Sequence, residues 1–524
     1  MKRYIYFLFA LVILMFWSSC RKDFSFSPST GNLEFSRDTV YLDTVFSNIG
    51  SSTYNLKVYN RSDDDISIPI IQLRNGTNSL YRMNVDGMTG EVGSDEGKRF
   101  ENVELLAKDS MFIFIETTID IESLSSSDTQ FLYTDAIQFD AGSNQQHVEL
   151  VTLVKDAVFI YPQRDMNGVI ETLSFDVDGD GNADDTEIQG RFLENSELTF
   201  TNEKPYVIYG YAAVDDGDEL NIEAGARVHF HANSGLLVTS GGSLKVNGSL
   251  STDPELLENE VIFEGDRLEP LFSDVPGQWG TIWLFNGSVD NEINYATIKN
   301  SSVGILCEGN QSAPNNKLQI RNSQIYNSSN FGILGRATSI LGENLVINAS
   351  GQSSFAGTVG GRYNFTHCTI ANYWNNSFRQ FPSVLLNNFI VDEDNTVIPN
   401  ALSEANFNNC IIYGNDNPEF LLEEDNGADF NFKFTNCLLR FNNNNITGEN
   451  YDFNNTDLYL DNFFNDDPDF RDPFANDLII GEDSGANNNG NISFASLVML
   501  DILGVDRTVN PDIGAYQSIV FEED

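Results

Sequence analysis

Between Leu33 and about Pro162, apolar residues come in short alternating runs. Val40-Tyr41-Leu42, Tyr54-Asn55-Leu56-Lys57-Val58-Tyr59, Ile66-Ser67-Ile68, Met111-Phe112-Ile113-Phe114-Ile115 and Val148-Glu149-Leu150-Val151 are the clearest, with Phe35 beginning the series. A period of two places successive side chains on opposite faces of a strand. Polar or glycine-containing turns separate the runs, and no long stretch shows the 3.6-residue period of a helix. The pattern predicts an all-β unit of about seven short strands over residues 33–162.

A different pattern fills the second half. An apolar residue, a spacer, Asn, a small or apolar residue, a spacer and an aliphatic recur as Ile298-Lys299-Asn300-Ser301-Ser302-Val303, Ile320-Arg321-Asn322-Ser323-Gln324-Ile325 and Phe365-Thr366-His367-Cys368-Thr369-Ile370. Further copies are Leu386-Asn387-Asn388-Phe389-Ile390-Val391, Phe407-Asn408-Asn409-Cys410-Ile411-Ile412 and Phe434-Thr435-Asn436-Cys437-Leu438-Leu439, with a weaker one at Asn344-Leu345-Val346-Ile347. Taking the residue after Asn as the marker gives 301, 323, 345, 368, 389, 410 and 437, with steps of 22, 22, 23, 21, 21 and 27. A near-constant step of this length predicts a solenoid. Alternation breaks at the Asn, so the flanking apolar residues both point inward only if the chain turns there. Asn tolerates the left-handed backbone of so tight a turn. Stacked Asn side chains can then hydrogen-bond from coil to coil, and His367 stands in that column as a ladder residue.

These motifs resemble the right-handed parallel β-helix of the pectate-lyase-like superfamily, with its Asn ladder at one turn. Gly277-Gln278-Trp279-Gly280, Asp467-Pro468-Asp469-Phe470 and the closing Pro511-Asp512-Ile513-Gly514-Ala515-Tyr516 also resemble that family, although Gln517 stands where Glu is usual. The resemblance implies an all-β chain: an N-terminal Ig-like β-sandwich at 33–162, a linker at 163–199, a right-handed parallel β-helix at 200–517 and a tail at 518–524. The run Leu33–Arg74 is similar to the Ig-like modules of bacterial surface lipoproteins. Such a fold is compatible with lyases, hydrolases, adhesins and spacers alike.

The beginning of the chain gives an address. Lys2 and Arg3 precede an apolar run, Tyr4–Trp17, too short to span a bilayer and long enough for a signal core. Trp17-Ser18-Ser19-Cys20 resembles a lipobox, which implies a signal peptide at 1–19, lipidation of Cys20 and a tether at 20–32. Arg21-Lys22-Asp23 resembles part of the export signal of Bacteroidota-type lipoproteins, implying the outer membrane with the protein facing outside the cell.

Charge changes the list of partners. With 29 Lys+Arg against 77 Asp+Glu the net charge is −48. Such a chain repels nucleic acid and anionic lipid, so the lipid at Cys20 has to supply membrane attachment. The excess also weighs against anionic polysaccharides unless a metal bridges them. The four further cysteines, Cys307, Cys368, Cys410 and Cys437, allow a disulfide reading, but the repeat stacks most of them as small core residues.

The candidate chemistry is concentrated in one segment. Asp176-Val177-Asp178-Gly179-Asp180-Gly181-Asn182-Ala183-Asp184-Asp185-Thr186-Glu187 matches a twelve-residue calcium loop. Asp176, Asp178, Asp180, Asp184 and Glu187 would supply carboxylates, Asn182 its backbone carbonyl, and Gly181 the sharp turn. The expected cofactor is a structural calcium that stiffens the joint between the two domains. Catalytic motifs are weak: His147, His229, His231 and His367 form no triad, and Asp215-Asp216 reads as a solvated loop. Tyr373 and Trp374 are the binding candidates, as a carbohydrate platform in a loop. The expected role is non-catalytic, a surface lipoprotein for adhesion or for contact with a glycan or partner protein. A polysaccharide lyase or glycoside hydrolase in a β-helix groove is the alternative.

Overall fold

The structure, a computed structural model, describes residues 25–90, 96–124, 129–442 and 446–521. The lipobox, Cys20 and the signal segment lie outside them. Over the described residues the chain is essentially all-β, with one short α-helix, Ile492–Ala495, and it divides into two compact units at Asp156/Ala157. Among the described residues no helix is long and apolar enough to cross a membrane.

The first unit holds a six-stranded and a four-stranded sheet. Ser110–Thr117 and Gln146–Lys155 show the expected alternation, burying every second residue. Val58 and Ile113 from one sheet and Val40, Ile137 and Leu150 from the other contribute to one core.

The second unit is a solenoid. In the early coils a strand pairs in parallel with the strand three later: Tyr206–Ile208 with Arg227–Phe230, Tyr211–Val214 with Gly235–Val238, and Glu219–Glu223 with Ser243–Asn247. One coil therefore supplies three strands, and their inward residues form one continuous apolar column from Ile160 to Tyr459.

Several boundaries differ from expectation. Val158–Ile160 already pairs with Tyr206–Ile208, so the stacking begins before residue 200. Residues 163–199 are not a free linker, because Gly190–Phe192 pairs with Tyr211–Ala213. At the other end the stack closes with Phe463–Phe464 against Leu438–Leu439. Residues 466–521 leave the coil path and run across the solenoid flank as a clasp. The late coils explain why: Val346, Ala371, Ile411, Tyr413 and Leu438 lie outside the column and would expose an apolar patch. Leu478, Ile480, Ile502, Ile513, Ala515 and Tyr516 of the clasp bury them in two satellite cores.

The repeat also has a different phase. Thr297 pairs with Gln324 and Thr366 with Asn408, so the turn column is Tyr295, Asn322, Asn344, His367, Asn409, Asn436 and Asp461. All seven have positive φ. Asn300 occupies the next turn of its coil, aligned with Asn327. Leu386 belongs to a strand, Val384–Asn387, of another stack, and Phe389–Val391 forms an antiparallel hairpin with Val397–Pro399. The coil between His367 and Asn409 is thus one long coil carrying inserted loops. Its motif-like Leu386-Asn387-Asn388 matches the repeat by composition alone.

Within this frame the four cysteines among the described residues are free and buried. Cys368, Cys410 and Cys437 follow one another in a single column, and Cys307 lies in a neighbouring stack.

Candidate functional site

The acidic segment is the turn of a hairpin between Thr172–Phe175 and Asp184–Phe192. Leu173 and Phe175 anchor it on Ala213, Leu237 and Phe285, with the Phe175 and Phe285 rings edge to face at 5.1 Å. The turn is held by its own carboxylates. Asp176 accepts from the Gly179 and Gly181 amides at 2.7 and 2.9 Å, and Asp184 accepts from the Val177 amide at 3.1 Å. Gly181, at φ +87°, takes the left-handed conformation the sharp turn requires.

Asp176, Asp178 and Asp184 each present an oxygen within 4.8 Å of the others. Three carboxylates this close repel one another by about 1 kcal/mol per pair even in water. A hard divalent cation offsets that repulsion with matching oxygen chemistry, so the cluster could coordinate one. Asp180 and Glu187 do not join it. Asp180 instead accepts from the Asn182 amide and side chain at 2.7 and 3.1 Å. Glu187 is carried away because the turn exits into a strand: three residues of strand advance about 10 Å, against about 4.5 Å in a helix. The hairpin belongs to the second unit and pairs with its early coils, so a cation held there would lie within that unit.

Beside the turn lies a cleft of about 450 Å³. Asp176, Gly181, Asn182 and Phe192 line one side, and Asp215, Asp216, Thr239 and Ser240 the other. Asp215-Asp216, which the sequence presents as an ordinary solvated turn, sits here because the Tyr211–Val214 strand pairs with the hairpin's second strand. Only the coil stacking brings these residues together, and no local signal marks it.

The aromatic candidates have other duties. Trp374 is buried and donates to Ser377 Oγ at 3.0 Å. Tyr373 packs edge to face against Phe470 and Phe474 of the clasp, 6.0 and 5.5 Å between centroids. The pair is therefore not an open platform: the clasp and the loop itself cover it. Trp279 stacks on Phe230 at 4.3 Å inside the column.

The histidines also hold structural positions. His229 is buried, with Nδ1 3.2 Å from the Gly265 carbonyl and 3.6 Å from Glu264. His231 pairs with Asp266 at 2.8 Å and stacks on Tyr209. Each therefore has its own carboxylate neighbour. His367 is buried in the ladder column, and burial, with Arg507 nearby, holds its imidazole well below the usual histidine range.

No family model matches the chain, and no curated protein matches it. Among solved structures, it is similar to the catalytic unit of a GH87 α-1,3-glucanase from Streptomyces thermodiastaticus strain HF3-3. That likeness has 11% identity over 74% of this chain and 79% of that one, with a TM-score of 0.24. A family 123 glycoside hydrolase from Clostridium perfringens matches at 8% identity and TM-score 0.16, over 24% of this chain and 26% of that one. The E. coli chaperone DraB matches at 12% identity and TM-score 0.15, over 25% of this chain and 58% of that one. The chain thus spans about a quarter of the hydrolase and little more than half of the chaperone.

Proposed function

We propose that the protein is an exported, lipid-anchored protein of a bacterial outer surface that binds glycan without turning it over. In this reading an Ig-like module stands in front of a right-handed parallel β-helix, and calcium occupies the Asp176-Asp178-Asp184 turn. The observation that supports it best is the shared cleft: Asp176 of the three-carboxylate turn and Asp215-Asp216 line the same opening. Calcium takes six to eight oxygen ligands, so three carboxylates leave positions that sugar hydroxyls can fill. Thr239 and Ser240 add hydroxyls to the wall, and Phe192 an apolar surface for a ring face.

Purified protein passed over a panel of polysaccharides tests the reading, with retained protein and released sugar both measured. Calcium-dependent retention without released product supports it, and retention indifferent to chelator removes it.

A second reading, a polysaccharide lyase or glycoside hydrolase, is favoured by two carboxylate groups facing one cleft from separate elements. Glycoside hydrolysis uses two carboxyls flanking the scissile bond. Product release that disappears in Asp215→Asn would select this reading over the first.

A further inference from the structure

A second cleft, of about 360 Å³, opens where the clasp crosses the 249–259 loop. Its walls are mixed: aliphatic Leu250, Ile479, Ile502 and Leu503 stand beside polar groups that include Arg471 and Glu255. Among the polar groups that line it is Glu260, only 8% exposed. Its Oε2 accepts from Thr297 Oγ1 at 2.9 Å, and no hydrogen bond to its other oxygen occurs among the described residues. Arg227 donates to the Glu260 backbone carbonyl at 2.7 Å and not to the carboxylate. Burial pushes the Glu260 carboxyl up, as expected of an acid without a full counter-charge. Asp477, also in the cleft, already has Arg471 as its ion-pair partner.

The rim continues the apolar character outward. Leu250 and Leu503 of the lining are 41 and 40% exposed. Aliphatic side chains beside a buried acid have the form of a protein-binding hot spot, with a charged anchor next to apolar neighbours. Saccharide platforms use exposed aromatic faces, and Tyr516, the aromatic ring lining this cleft, is buried. Glu255, Glu260 and Asp477 against Arg471 leave the cleft acidic, like the whole chain at −48, which calls for a basic occupant.

We infer that this cleft is a docking site for a partner protein segment that inserts one Lys or Arg, flanked by aliphatic residues, toward Glu260. The inference does not rest on the glycan reading, since it concerns another part of the solenoid.

Fluorescence anisotropy with the full chain tests it, using a labelled synthetic peptide with a single Lys between leucines. A peptide of equal charge without leucines controls for general attraction to an acidic protein. The leucine-flanked peptide should bind saturably and at least tenfold more tightly than the control. Glu260→Gln and Leu503→Asp should each weaken it about tenfold or more. Leu503→Asp lies on the exposed rim, so its effect does not depend on a buried change being tolerated. Binding indifferent to both variants, equal binding of both peptides, no binding at all, or displacement by a neutral oligosaccharide would each overturn the assignment.

Discussion

The side-chain amide of Asn409 donates to Nε2 of His367, 2.9 Å away, one coil along the same turn column. That bond leaves the imidazole proton on Nδ1, which lies 3.3 Å from the Gly514 carbonyl of the clasp. Asn491 extends the arrangement. Its amide N–H donates to Asn409 Oδ1 at 2.8 Å, and its side chain donates to Asn436 Oδ1 at 3.2 Å. Earlier in the column Asn344 donates to Asn322 at 2.9 Å. The ladder is thus also the seat of the clasp.

His367 should give the fold an acid sensitivity. The folded state holds it neutral, with its pKa depressed below the usual value of about 6.5. Unfolded chain therefore binds a proton that folded chain refuses. Stability is retained above pH 6.5 and lost below it, by up to about 1.4 kcal/mol per pH unit until the folded imidazole titrates. His367→Asn restores the ladder residue and should flatten the urea-midpoint profile between pH 6.5 and 5 relative to wild type. Parallel profiles for the two proteins would show that the histidine carries no such linkage.

Gly514 should be intolerant of a side chain. It sits at φ +99°, and an added Cβ would meet Ile411 Cδ1 at 2.7 Å and Thr369 Oγ1 at 2.8 Å. Gly514→Ala should cost about 2–4 kcal/mol through backbone strain and overpacking together. Arg507, buried and donating to the Gly514 and Ala515 carbonyls at 3.0 Å each, holds the same turn. Limited proteolysis reads the outcome: new cleavage within 466–521 in Gly514→Ala or Arg507→Met, with the coils left intact.

The strand exit from the acidic turn separates two ligand sets. Added calcium should raise the melting temperature of wild type and Glu187→Gln alike, whereas Asp184→Asn should lose the shift. A twelve-residue loop closed by Glu187 would give the opposite ranking of the two variants. Thermal melts with calcium and with chelator decide between them.

The cysteine column should be chemically silent in the native state. Burial pushes the Cys307 thiol up, and Cys368 and Cys437 well above the usual range. Thiol titration should find Cys307, Cys368, Cys410 and Cys437 unreactive when folded and all four reactive in denaturant without reductant. A deficit of two in denaturant would reveal a disulfide.

Much of the solenoid was legible because its repeat is local chemistry: a left-handed Asn between two inward apolar residues. The phase was not, since Asn300 and Asn388 satisfy the same short pattern at other positions in the coil. Pairing three strands away, not the motif, fixes which asparagines stack. The clasp was hidden for a similar reason. Val346 and Ile411 read as strand residues whichever way they face, and only the coil geometry turns them outward to be covered. The acidic turn showed its carboxylates plainly, but a helix-based spacing overcounted them, and Asp215-Asp216 became part of the site only through stacking. Tyr373 and Trp374 looked exposed because the residues that cover Tyr373 lie about a hundred positions later.

Glycan binding in the acidic cleft should depend on calcium in the Asp176-Asp178-Asp184 turn. Affinity electrophoresis through gels containing a retained polysaccharide tests it most directly, with wild type, Asp184→Asn and Asp215→Asn run with calcium and with chelator. Wild type should be slowed only with calcium, and both variants should run unretarded. Retardation that survives chelator and both substitutions would contradict it.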